Sequence, residues 1–331
     1  MTYIANKDRY SKMKYRRCGK SGLLLPIVSL GLWHNFGDNA NFDNMKDIIF
    51  TAFDNGITYF DLANNYGPEY GAAERNFGKI YEMYLKPYRD ELIISTKAGY
   101  DMWEGPYGDH GSRKYLIASI NQSLKRMNLE YVDIFYHHRM DPETPLIETM
   151  TALRDIVLQG KALYIGLSNY DGETLVKATE LLTKMNVPFI VNQNKYNIFD
   201  RTIENNGLLK ESINLGKGIV TFSPLEQGLL TSRYLEGVPS DSRAVKDGRY
   251  LKKEMITSDK VEMIKKLNEI AKSRNETLAD MALARDLKDE VVTSCIIGAS
   301  KKEQILDNIK VINSKPFTKS ELDEINKIVK E

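Results

Sequence analysis

Eight short apolar runs, each followed by a longer polar or amphipathic stretch, constrain this chain more than any other feature of it. They occupy residues 28–32, 58–61, 92–97, 132–138, 163–168, 189–193, 218–222 and 293–297. Runs this short suit strands better than helices, and apolarity that is near-continuous rather than alternating marks strands covered on both faces. Helical patterns fall between them at residues 43–55, 113–128, 146–159, 173–185 and 279–287, with Gly56 and Gly160 as stop signals at two ends. Strand and helix alternating eight times predict an α/β fold, the parallel (β/α)8 TIM barrel. Residues 14–17 and 23–27 flank a Gly-bounded turn and predict an N-terminal β-hairpin capping the barrel floor. Helical patterns at 259–274 and 318–330 exceed the eight-fold repeat and are expected to be two extra helices. The stretch 225–258, rich in Gly, Ser, Arg and Lys, is longer than a connecting loop needs to be and reads as a functional loop or a disordered one. No linker or internal repeat divides the chain, so residues 1–331 are read as one barrel domain.

Composition narrows the partner. Forty-six basic against 45 acidic side chains leave a formal net charge of +1, which calls for no nucleic acid, no membrane lipid and no polyanion. A small molecule is the expected partner. Cys18 and Cys295 are too few for a disulfide framework, no apolar run approaches the roughly 18 residues that span a bilayer, and residues 1–8 lack the apolar stretch of a secretory signal. The expectation is a cytoplasmic protein with reduced thiols.

Four polar residues stand at or just after the ends of three of the apolar runs: Asp61, Tyr66, Lys97 and His138. An ion closing an apolar run is unusual because isolated burial of charge is unfavourable. In a barrel, strand C-termini face the mouth where chemistry is done. Side chains alternate along a strand, so His138 shares its face with Tyr136 and Ile134, and His137 points the other way into packing. Lys97 taken alone is as compatible with a solvated rim as with a site; Asp61 is its natural partner. Together the groups form a proton donor: an ammonium beside a phenol favours loss of the phenol's proton, Asp61 keeps Lys97 charged, and His138 can hydrogen-bond a substrate oxygen. Chemistry that needs an acid and no nucleophile is carbonyl reduction, with hydride supplied from outside. Competing motifs fail. Gly19-Lys20-Ser21 resembles the end of a P-loop, but the glycine required five positions earlier is Lys14. No G-x-G-x-x-G occurs, and His34, His110, His137, His138 and the two cysteines offer no metal-binding spacing, so no metal is expected.

Asp61-x-Ala63-x-x-Tyr66-Gly67, Lys97 and the segment from Tyr131 to His138 resemble the catalytic tetrad of the aldo-keto reductase superfamily, and the resemblance runs from Lys14 to about Lys310. It implies Tyr66 as general acid, Lys97 and Asp61 as its tuning pair, His138 as the group that orients the carbonyl, and NADP(H) as cofactor. By the same resemblance Ser168, Asn169 and Gln193 meet the nicotinamide carboxamide and Phe222 stacks on its ring, where the family usually has tyrosine or tryptophan. Ser223, Leu225, Gln227, Gly228 and Arg233, with Arg243 beyond them, fall on the pyrophosphate loop. Gly298, Ser300, Lys301, Gln304, Asp307 and Asn308 resemble the adenosine-phosphate segment; Gln304 and Asp307 stand where many of these reductases have arginine and glutamate, with Lys301 as compensating cation. Trp33 and Asp61 border the cofactor, Trp33, Tyr66 and His138 border the substrate, Trp103 walls the substrate pocket, and Arg139 is the expected cation near the substrate, a surface salt bridge being its alternative. Residues 103–108, 111–115 and 222–230 resemble the bacterial L-glyceraldehyde 3-phosphate reductases, a group related to the β subunits of voltage-gated potassium channels. The implied substrates are small aldehydes, L-glyceraldehyde 3-phosphate first and methylglyoxal second; the implied assembly is a tetramer or octamer. The alternative is an NADPH-binding redox-sensing scaffold. His138 weighs against it, since the channel subunits have asparagine there.

Overall fold

A computed structural model of the protein describes residues 3–239, 245 and 251–330. Two short strands come first, β1 (Tyr15–Arg17) and β2 (Leu24–Pro26), followed by eight that build the core: β3 (Val28–Gly31), β4 (Tyr59–Asp61), β5 (Ile93–Ala98), β6 (Val132–His137), β7 (Ala162–Ser168), β8 (Phe189–Lys195), β9 (Gly218–Phe222) and β10 (Val292–Ile297). The eight close into a parallel barrel in chain order, β10 pairing with β3 to complete it. The expected (β/α)8 architecture is what forms.

The strand sequences explain the layering. In β6, Ile134 and Tyr136 join Tyr59, Val191, Val220 and Ile296 inside the barrel, while Phe135 packs outward among the helices. One interior position must be glycine: a Cβ on Gly166 would lie 2.2 Å from the Tyr136 ring. The antiparallel hairpin β1–β2 closes the N-terminal end, with Cys18 and Leu25 entirely buried in the same interior cluster. Its turn fits against the start of β9, where Lys20 N donates to Gly216 O at 2.8 Å and a Cβ on Gly19 would meet that oxygen at 2.2 Å. Both cysteines are buried and unbridged.

Helices Phe42–Asp54, Arg113–Met127 and Gly172–Lys184 start where expected because Asn41, Ser112 and Asp171 each accept a first-turn amide proton, the usual N-cap contribution of about 1 kcal/mol. Helix Leu278–Asp286 opens with a capping box between Thr277 and Asp280. The two helices beyond the repeat, Ser258–Ser273 and Lys319–Lys330, pack together: Ile264, Leu267 and Ile270 share a cluster with Ile325 and Ile328. Among the described residues no helix is long and apolar enough to cross a membrane.

Candidate active site

Strand ends at the barrel mouth bring the four sequence-predicted residues together. Asp61 closes β4, Lys97 lies one residue from the end of β5, and His138 follows β6 directly. Lys97 is wholly buried and Asp61 is 2% exposed. Lys97 Nζ donates to Asp61 Oδ2 at 2.5 Å, to Leu62 O at 2.8 Å and to the Tyr66 hydroxyl at 3.3 Å. Burial pulls the Lys97 ammonium below its ordinary value, and the Asp61 carboxylate opposes that pull. A charge removed from water is tolerable only when paired and fully bonded, and Lys97 has both.

Asp61 is itself held on three sides. Its Oδ1 accepts from Ser95 Oγ at 2.8 Å, Gln193 Nε2 at 3.0 Å and Tyr59 OH at 3.4 Å, leaving Oδ2 to Lys97. Tyr59 is bonded in turn to Tyr136 OH at 2.9 Å. Ser95, Tyr59 and Tyr136 were not picked out from the sequence as site residues. Strand parity was the signal that could have found them, since each lies two residues before Lys97, Asp61 or His138 on the same face. Gln193, expected as a nicotinamide contact, is also a ligand of the carboxylate.

His138 sits beside Tyr66, the rings edge-to-face at 5.8 Å between centroids, and beside Tyr100 at 4.7 Å and 88°. Burial, and after it the Lys97 charge, push its imidazole well below the usual histidine range, so it is neutral at pH 7. Nδ1 is the buried nitrogen, without a partner among the described residues. His137 turns outward as parity requires, its Nδ1 2.7 Å from Tyr170 OH, and burial lowers it to about 4. Trp33 stands over Tyr66 at 6.4 Å. Trp103 packs on Tyr115 at 5.1 Å and on the helix-side core. Arg139 lies with its guanidinium 4.4 Å from the Tyr100 ring centroid, donates to Gly99 O at 2.7 Å, and forks onto Asp109 at 2.8 and 2.9 Å. Its charge near the mouth is therefore met by the Asp109 carboxylate.

The residues expected to meet a dinucleotide run along the mouth from β7 to β10. Ser168 is buried at the end of β7, and Asn169 spans to His138 O at 2.9 Å. Phe222 ends β9. The turn after it has positive φ at Ser223, Glu226, Gln227 and Gly228, and Gln227 Oε1 is buried with no partner among the described residues. Leu225 packs partly into the helix-side core, and Arg233 is exposed in the short 3-10 turn Ser232–Tyr234. Arg243 lies outside the described residues. After β10, exposed Gly298 leads to Ser300, whose amide and hydroxyl donate to Gln304 Oε1 at 2.7 and 3.1 Å. Lys301 precedes helix Lys302–Asn308; Asp307 is paired with Lys310 at 2.8 Å, and Asn308 is buried. No group of three or more potential metal ligands occurs among the described residues.

What the arrangement can do chemically is deliver a proton from the Tyr66 hydroxyl to an atom at the mouth, with a buried cation behind the phenol and a neutral imidazole beside it. The model of the aldo/keto reductase family matches residues 27–330. L-glyceraldehyde 3-phosphate reductase of Escherichia coli K12 is 52% identical over 98% of this chain and 95% of its own length. Proteins described as probable voltage-gated potassium channel subunit beta are 35% identical in Arabidopsis thaliana and 32% in Oryza sativa, each over 96% of this chain and 97% of theirs. With the barrel, the strand-end residues and a family match across nine-tenths of its length, the chain belongs to the aldo/keto reductase family of oxidoreductases.

Proposed function

We propose that the protein is an NADPH-dependent reductase of small aldehydes, acting as one barrel domain in the cytoplasm, with L-glyceraldehyde 3-phosphate as first substrate and methylglyoxal-like aldehydes after it. The observation that carries this reading is the buried Lys97–Asp61 pair with Nζ 3.3 Å from the Tyr66 hydroxyl. The 52% identity to a reductase of that aldehyde supports the choice of substrate.

The turn after β9 fits a dinucleotide cofactor in two respects: the buried Gln227 Oε1, without a partner among the described residues, offers an acceptor, and positive φ at Ser223, Glu226, Gln227 and Gly228 turns the backbone sharply where β9 ends. Ser168, Asn169, Gln193 and Phe222 would hold the nicotinamide end, Ser223, Leu225, Gln227, Gly228 and Arg233 the pyrophosphate, and Ser300, Lys301, Gln304 and Asn308 the adenosine end. A reduced nicotinamide, when bound, supplies hydride to the carbonyl carbon. Tyr66 gives the proton to the carbonyl oxygen. Lys97, fixed by Asp61, stabilises negative charge on the phenol oxygen as that proton leaves. His138, kept neutral by burial and by Lys97, acts as a hydrogen-bond partner that orients the carbonyl rather than as an acid. Trp33 limits the mouth above Tyr66.

The second reading, a redox-sensing scaffold like a channel β subunit, has the 35% relative in its favour. Steady-state assays with NADPH and a panel of L- and D-glyceraldehyde 3-phosphate, glyceraldehyde and methylglyoxal separate the two. The reductase reading expects turnover, and expects Tyr66→Phe to lose about 10²- to 10⁴-fold in kcat, the usual contribution of a general acid, with NADPH titration unchanged. Tight NADPH binding without turnover on any aldehyde would favour the scaffold. We also propose a homo-oligomer, tetramer or octamer, which a light-scattering mass near 37.8 kDa would exclude.

A further inference from the structure

The turn after β9 is held in an unfavourable backbone shape. Ser223, Glu226 and Gln227 have φ of 55°, 41° and 55°, followed by Gly228 at 98°. A residue with a side chain is disfavoured in the left-handed region, so three within five positions persist only where surrounding groups impose them. Those groups come from β8 and the loop after it. Lys195, last residue of β8 and register partner of Phe222, donates from Nζ to Glu226 Oε1 at 2.9 Å. Asn197, completely buried, donates from Nδ2 to Glu226 Oε2 at 2.5 Å and to Ser223 O at 3.0 Å. Its own Oδ1 accepts from the amides of Phe199 at 2.9 Å and Asp200 at 2.8 Å, which fixes which way the side-chain amide faces. The strained turn is thus tied at both ends: at Ser223 through a backbone oxygen, and at Glu226 through both carboxylate oxygens.

We infer that Lys195 and Asn197 are positioning residues that hold the 223–228 turn in the shape a dinucleotide requires, so that cofactor affinity is set in part from β8. This rests on the cofactor reading of that turn given above. The Lys195 and Glu226 side chains are 36% and 15% exposed, and an ion pair that open contributes little by attraction alone. Its larger effect is geometric, because releasing Glu226 lets a left-handed residue relax.

The test uses the full chain as parent, Lys195→Met, Glu226→Gln, the double variant and Lys195→Arg. NADPH affinity is read by fluorescence titration, the mobility of the turn by amide hydrogen exchange over residues 223–229, and turnover by KM for NADPH and kcat. We expect each single variant to weaken NADPH binding roughly 5- to 10-fold, a tenfold change being about 1.4 kcal/mol. KM for NADPH should follow while kcat stays within about twofold, exchange in the turn should accelerate, and Lys195→Arg should restore both. Coupled residues predict a double variant no worse than the weaker single one. If Lys195→Met fails to fold, Glu226→Gln carries the test alone. Faster exchange with parental affinity would mean a merely structural brace and would overturn the inference, as would parental values of both. A parent chain that binds neither NADPH nor NADH would instead overturn the cofactor reading, and exchange in the variants would still decide whether β8 holds the turn.

Discussion

Replacing Asp61 by asparagine keeps the size of the side chain and removes one charge, which makes it the sharpest probe of the site. The carboxylate accepts four hydrogen bonds, three on Oδ1 and one from Lys97 on Oδ2. Asparagine offers one oxygen and one NH2. If its oxygen takes the Ser95, Gln193 and Tyr59 donors, its NH2 faces the Lys97 ammonium, donor against donor. Lys97 is entirely buried, and the other carboxylate acting on it, Glu74, is already bound by Arg126 at 2.6 Å and Thr96 at 2.5 Å. Removing one member of a buried pair destabilises by about 3–5 kcal/mol, which at this chain length corresponds to a fall in Tm of roughly 4–7 °C. The amine escapes by losing its proton, so the folded pKa of Lys97, already lowered in the parent, falls further. The unfolded chain binds that proton up to its ordinary value of 10.5, so above the variant's folded value its extra instability shrinks as pH rises, and it is gone at the parent's own lowered value. Asp61→Asn with Lys97→Met removes both charges and should recover most of the lost Tm without recovering turnover. Differential scanning calorimetry at pH 7 and pH 9.5, with aldehyde reduction assayed in parallel, reads all of this. An Asp61→Asn deficit equal at both pH values, or absent, would refute the claim that Lys97 is charged and held by Asp61.

Two further outcomes are expected. Burial holds His137 at about 4 against 6.5 in the unfolded chain, so the unfolded state binds the extra proton between those values; stability falls as pH drops from 6.5 to 4 by about 3 kcal/mol from this group, and His137→Gln, measured by urea unfolding across that range, should flatten the slope by up to one proton. Lys301→Ala and Arg139→Ala test the two anion contacts expected from the sequence: loss of the NADPH over NADH preference in the first, and a smaller advantage of phosphorylated over unphosphorylated glyceraldehyde in kcat/KM in the second. Because Arg139 is forked onto Asp109, its effect should be the weaker of the two, and no change in either ratio would remove both residues from phosphate recognition.

The sequence made the barrel legible because strands buried on both faces leave uninterrupted apolar runs, and the period of two then separates His138 from His137 without any structure. Two helices left weaker marks. Ala72–Ile80 and Leu208–Leu215 are short, and each begins at a left-handed glycine, Gly71 or Gly207, that makes no side-chain cap bond, so the Ser, Thr or Asp that announces other helices is absent. Partners across the barrel were hidden for a different reason. Which face Ser95 and Gln193 present follows from strand parity, but that both reach one oxygen of Asp61, from positions 34 and 132 residues away, depends on the stagger at which β4, β5 and β8 close, and apolar runs do not encode stagger. Loops carry still less, since a segment without periodicity does not reveal what its side chains meet. Arg139 was readable as a cation after His138, but its pairing with Asp109 thirty residues earlier required the course of the loop after β5. The same applies to Lys195 and Glu226, two ordinary charges in sequence that become a brace only when β8 and β9 lie side by side. Residue type and strand position therefore disclose which chemistry a barrel mouth can hold, while the closure of the barrel decides which charges remain to act on a ligand: Lys97 is committed to Asp61 and Tyr66, Arg139 to Asp109, and Lys195 to Glu226. Discrimination among aldehydes must then come from groups these pairs leave open, or from a pair that a substrate's own anion breaks, and the Arg139–Asp109 fork is where that exchange can be measured.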